Sequence, residues 1–176
     1  MTAYHRDFTI DLKETQAFYL MLVMGRWRKG LLGFAVVGAL SAAMYTAGTA
    51  LSLPVKAALI AGGALAAVLI AAAVLVVSTR RKVKSQVRRA GRESYVQETE
   101  INGFGVHVTV GDKKARMAFE NLLRVRETGR AFYLFLSDSQ AWILPKAQME
   151  DRQAETEQLR DIFRTVVERG KLRLKG

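Results

Sequence analysis

Two histidines, sixteen acidic residues and no cysteine are the raw material for chemistry in this 176-residue chain. Without cysteine there is neither a disulfide framework nor a thiolate metal site. His5 and His107 are far apart in sequence. His107 sits on the strand face opposite Val106, Val108 and Val110, so it reads as a solvated or cross-strand residue rather than an acid–base group. Glu98 and Glu100 share a strand face, but paired carboxylates do acid–base work only where a pocket shifts their pKa values. Ser137, Asp138 and Ser139 are accounted for by a turn. Gly103 and Gly105 flank Phe104 outside the strand–glycine–helix context of a phosphate loop. Trp142 reads as core or interface packing. The expectation is a non-catalytic protein with no cofactor and no metal.

The elements that would carry these residues are dominated by two apolar runs. Residues 30–55 are 26 positions without a charge, residues 57–79 are 23 more, and only Lys56 interrupts them. As helices they would span about 39 and 35 Å, against about 30 Å for a bilayer core. Pro54 disfavours helix at Leu53 and places a turn at 52–56. The spacing predicts a transmembrane hairpin with helices over about 30–51 and 55–78. Arg26, Arg28 and Lys29 precede the first run, and a block of cations follows the second, so both termini are expected in the cytoplasm. Trp27 and Tyr19 suit the same interface. Small residues at 46–50 resemble a cleavage site, but 29 residues precede the run and a second span follows at once, which argues against a signal peptide.

Small residues spaced four apart, Gly38 with Ala42 and Ala58 with Gly62 and Ala66, suit close helix packing, within the hairpin or between copies. Neither run holds an acid, a base or a histidine, which disfavours a transporter. Charge is unevenly divided: residues 1–92 carry a net +10 and residues 93–176 a net +1. The basic segment 80–92 has seven cations and no acid. It reads as a stop-transfer flank continuing the second helix. Arg80, Arg81, Lys82, Lys84, Arg88 and Arg89 are the candidate contacts to anionic lipid at the membrane surface. No aromatic residue interleaves these cations, so nucleic acid is not an expected partner.

Beyond residue 93 the period changes to two. Strands are expected over 95–101, 106–110, 115–119, 122–127, 131–136 and 140–144, with Asn102-Gly103 as a hairpin turn. Leu159, Ile162, Phe163, Val166 and Val167 then mark one face of a helix, with Gly170 as its C-cap. Buried together, these elements predict a curved antiparallel sheet capped by a C-terminal helix. Phe8, Ile10 and Leu12 alternate with polar residues, and a lone strand is unstable in water. Residues 5–12 are therefore expected to join the C-terminal sheet, which makes the hairpin an insertion within one discontinuous domain.

Three segments carry a family resemblance: Phe119 to Thr128 (FENLLRVRET), Phe132 to Ser137 (FYLFLS) and Ala141 to Lys146 (AWILPK). Their order, with the final helix, resembles the YcxB-like family. The resemblance implies a bacterial membrane protein whose cytoplasmic domain is similar to pleckstrin-homology (PH-like) folds, with no established activity and no functional residues to carry over. The expected organisation is thus an α+β membrane protein. An N-terminal strand and juxtamembrane helix occupy 1–29, the hairpin 30–79, the basic segment 80–92 and a PH-like cytoplasmic domain 93–176. The expected role is a membrane-anchored binding or structural module in the bacterial inner membrane. Anionic-lipid recognition is the alternative, and a membrane-embedded enzyme ranks below both. The expected partners are the lipid bilayer, an unidentified protein and another copy of the chain.

Overall fold

The structure, a computed structural model, describes residues 2–89, 91 and 94–174. Arg92 and Glu93, boundary residues of two expected segments, lie outside the described residues, as does the side chain of Arg28. The chain divides into two units: Met1–Thr15 with Val87–Gly176, and Gln16–Gln86.

The first unit is discontinuous in sequence. Its N-terminal strand, β1 (Thr2–Asp11), pairs antiparallel with β2 (Ser94–Asn102), from Asp11 opposite Ser94 to Thr2 opposite Asn102. The alternation read from Phe8 and Ile10 sets this register, since both are buried. Leu12 does not extend the strand but begins a helix, because Asp11 caps it: the Glu14 amide donates to Asp11 Oδ1 at 2.9 Å. β3 (Gly105–Val110) and β4 (Lys113–Ala118) complete a sheet of order β1-β2-β3-β4.

Two tight turns join these strands. Between β2 and β3 the turn positions are Gly103 and Phe104, not Asn102-Gly103. Asn102 instead accepts from the amides of Phe104 and Gly105 through Oδ1, at 3.0 and 3.1 Å. A Cβ on Gly105 would stand 2.3 Å from the Met117 carbonyl oxygen, so only glycine lets β4 approach. Between β3 and β4, Gly111 takes φ +56° at the first turn position, where a two-residue hairpin favours glycine.

The remaining strands form a second sheet rather than a continuation of the first. β5 (Arg124–Glu127), β6 (Ala131–Phe135) and β7 (Ala141–Pro145) pair antiparallel, and β8 (Leu172–Arg173) adds parallel to β5. Phe119, expected at a strand end, instead opens a short 3₁₀ turn to Asn121 that separates the sheets. All five residues of β6 are buried, which accounts for its unbroken apolar run. α3 (Arg152–Val166) buries Leu159 and Phe163 completely, and Phe163 meets Phe132 at 5.8 Å between ring centroids. Asp151 caps its start by accepting from the amides of Gln153 and Ala154. Val167 is its C-cap; Gly170, expected there, lies in a later 3₁₀ turn. Gln97, buried between the sheets, donates to Thr99 Oγ1 and to the Ile143 carbonyl, so β2 is tied to β7 with no amide donor wasted.

The second unit holds all but the first turn of α1 (Leu12–Ala47) and all but the last turn of α2 (Leu53–Arg89). α1 is one continuous helix where a juxtamembrane helix and a separate span were expected, since no proline or cap interrupts it. Pro54 sits in the first turn of α2, where its missing N–H costs nothing. The helices meet through glycine: a Cβ on Gly38 would stand 2.5 Å from the Gly63 carbonyl oxygen, and one on Gly63 would stand 2.8 Å from the Ala42 Cβ. The Gly38–Ala42 face is thus an intramolecular seam. The partner glycine is Gly63, whereas the Ala58–Gly62–Ala66 stripe is exposed and Gly62 meets nothing within 4 Å.

Candidate functional site

Three groups of charged residues stand out. The first is the basic end of α2. Arg80, Arg81, Lys82, Lys84, Arg88 and Arg89 all lie on this helix and all are exposed, while Thr79 and Val83, one turn apart, are buried. None of the six forms a salt bridge with a described residue.

The second group was not singled out in the sequence. Glu127 at the end of β5 has a fully buried side chain and accepts from two cations. Arg160 of α3 grips it with both prongs, Nε to Oε2 at 2.9 Å and Nη2 to Oε1 at 2.7 Å. Lys146, immediately after β7, is 6% exposed, donates to the same Oε1 and lies 4.6 Å from the Phe132 ring centroid. Arg160 also pairs with Glu157, so the four charges cancel. These hydrogen bonds to Glu127 raise the guanidinium above its ordinary value. The cluster binds β5, β7 and α3 together, and its satisfied, bidentate geometry is that of a structural element. The final lysine of the Ile143-Leu144-Pro145-Lys146 segment is thereby explained as the buried partner of Glu127.

A related network secures β1. Arg6 donates to the Gln148 carbonyl at 3.0 Å and to Glu155 Oε1 at 2.9 Å, and Tyr4 donates to Glu155 Oε2 at 2.8 Å. Burial, and then the hydrogen bond to Glu155, push the Tyr4 hydroxyl well above its ordinary pKa. The Gln148 side-chain amide exchanges two hydrogen bonds of 2.7 Å with the Thr9 backbone and so occupies the edge of β1 as a strand would.

The third group is on the outward face of the first sheet. β1 contributes His5 and Asp7, β2 contributes Glu98 and Glu100, and β3 contributes His107. Cross-strand register sets His5 opposite Glu100 and Glu100 opposite His107, so the chain's two histidines flank one carboxylate. Asp7 stands opposite Glu98, and His5 Nε2 lies 3.8 Å from Glu98 Oε1. His107 approaches Asn102 at 3.5 Å. Among the other residues weighed for chemistry, Ser137 Oγ accepts from the Gln140 amide in its turn, and Trp142 is half-buried in β7.

The architecture defines an α+β protein with antiparallel sheets and two helices, in Lys29–Ala47 and Leu53–Arg89, long and apolar enough to cross a membrane. Residues 101–163 match the family model described as YcxB-like protein, the family that the motifs resemble. The match takes in the whole Glu127–Lys146–Arg160 cluster, and it leaves out β1, both long helices and most of β2. No curated protein and no solved structure matches the chain.

Proposed function

We propose that the protein is a membrane-anchored, non-catalytic binding or structural module. Its α1–α2 hairpin crosses the bacterial inner membrane, both termini face the cytoplasm, and a PH-like unit is displayed there. The observation that carries this reading is the exposed apolar surface of the long helices. Leu32, Met44, Tyr45, Leu65, Leu69 and Ile70 are between 60% and 81% exposed, a surface that water disfavours and lipid accepts. The two-sheet unit closed by a C-terminal helix supports the PH-like reading. The surface available to an unidentified protein partner is β4, the last strand of its sheet, every residue of which is at least partly exposed. Lys113, Lys114 and Arg116 on this edge favour an acidic extended segment added by β-augmentation.

Topology is tested in this cysteine-free chain by Lys56→Cys and Ser94→Cys. With the outer barrier opened, an impermeant thiol reagent is expected to label position 56 only. Labelling at position 94 alone would reverse the orientation, and labelling at both would remove the hairpin from the membrane.

A second reading, anionic-lipid recognition, rests on the six exposed cations of α2. The full chain reconstituted into anionic vesicles is expected to retain lipid contacts at Arg88 and Arg89 that salt weakens. Selectivity for one head group, persisting in salt, would favour recognition over simple charge attraction.

A further inference from the structure

We propose that His5, Asp7 and Glu98 form a binding site for a divalent transition-metal ion of the zinc type on the outward face of the first sheet. One donor atom from each residue lies within 4.8 Å of the other two, on two strands whose register is fixed. Metal–ligand bonds of about 2.0–2.2 Å set donors roughly 3.4 Å apart around a tetrahedral centre. The His5–Glu98 separation of 3.8 Å is close to that, and rotation of the exposed carboxylates supplies the rest. The charge pattern points the same way. Asp7 and Glu98 are directly opposed like charges, an unfavourable cross-strand pair that a shared cation neutralises.

The donor set selects the ion. One imidazole and two carboxylates, with no thiolate, suit zinc, manganese or nickel ions better than copper(I), and the imidazole disfavours magnesium and calcium. All three ligands are exposed, so water completes the shell. β1 is held in place for this by Gln148, Arg6 and Tyr4, so the two ligands it carries are not on a fraying strand. The bound ion clips β1 to β2, the two strands whose far ends lead into α1 and α2. The site is independent of the proposed membrane function.

The composition makes the test clean. With no cysteine and two histidines, imidazole-dependent binding by the untagged chain must use His5 or His107. The full chain in detergent, titrated calorimetrically with zinc chloride, is expected to take up one equivalent and to melt at a higher temperature when loaded. His5→Gln, Asp7→Asn and Glu98→Gln should each weaken uptake by about tenfold or more, the scale on which even supporting residues alter metal affinity. His107→Gln should leave it unchanged, and none of the four should lower the metal-free melting temperature, which separates ligand loss from unfolding. No uptake overturns the proposal. So does uptake that depends equally on both histidines and on neither carboxylate, which is adventitious capture by surface imidazole.

Discussion

Phe132 and Phe163 are fully buried in the sheet unit, whereas Met44 and Tyr45 in the helix pair are 80% and 81% exposed. Both units are rich in apolar residues and use them in opposite senses. In the sheet unit, large side chains interlock, and Gln97 and Glu127 enter the core with hydrogen-bond partners. In the helix pair, large side chains point outward and the contact is made by removing side chains, at Gly38 and Gly63. Water expels apolar surface and stabilises the first arrangement; in the bilayer proposed for the helix pair lipid has no such preference, and close backbone packing would hold the second. One chain therefore carries two packing rules, and each substitution below separates them.

The largest effect is expected inside the sheet unit. Phe163→Asp puts an unpaired charge among fully buried neighbours at a cost of several kcal/mol, comparable with the whole stability of a small domain at about 5–15 kcal/mol. Hydrogen exchange on the full chain should show β1–β8 losing protection while the apolar stretches of α1 and α2 keep theirs. His107→Ala, on the exposed sheet face, should leave both patterns intact. Loss of protection in both units with Phe163→Asp would mean that they unfold as one.

Next comes Glu127→Ala. It strands Lys146 at 6% exposure and leaves Arg160, at 16%, with Glu157 alone, and removing one partner of a buried pair costs about 3–5 kcal/mol. Adding Lys146→Met should recover part of that loss, because the fault lies in the unpaired charge rather than in a missing contact. A double mutant no more stable than Glu127→Ala would show that Lys146 contributes by packing on Phe132 instead.

The helix pair is probed by two adjacent glycines. Gly63→Leu forces a side chain against Ala42 and Gly38, and overpacking of this kind costs about 1–3 kcal/mol. Gly62→Leu adds its side chain to open space and a better helix former to the chain. Thermal unfolding in detergent should fall with the first and hold or rise with the second. The reverse order would move the seam onto the Ala58–Gly62–Ala66 stripe.

How far these features could be read in advance follows from the range of each signal. The apolar runs, the alternation of β1, the run that became β6 and the Leu159–Phe163 stripe are local patterns, and each gave an element of the right kind. The discontinuous pairing of β1 with β2 was also legible, because a strand pattern needs a sheet to join. Glu127, Lys146 and Arg160 were not: they are separated by 19 and 33 positions, and each alone reads as a solvated charge. The signal that could have found them is a glutamate ending one strand and a lysine ending another next to an apolar helix face. The division into two sheets was hidden in the three-residue turn from Phe119, and β8 is two residues with no pattern of its own. The facing of His5 and His107 across Glu100 is purely a matter of register.

The smallest expected effect lies near the junction of strand and helix, at Glu14. Its Oε2 is buried and has no hydrogen-bond partner among the described residues. Burial raises its carboxyl above the usual range, Asp11 raises it further, and Arg130 partly opposes both. The folded chain therefore holds this proton to higher pH than the unfolded chain. The stability Glu14 contributes is complete below the unfolded value, and it is lost as pH rises through the folded one. At neutral pH the charge is an unfavourable feature that its place in the first turn of α1 offsets only in part. Glu14→Gln keeps the shape without the charge. It should raise the melting temperature slightly at pH 7, and the gain should shrink toward zero near pH 4, around the ordinary carboxylate value. A gain that persists unchanged at low pH would trace to packing, and a loss at pH 7 would show that the helix terminus and Arg130 outweigh burial.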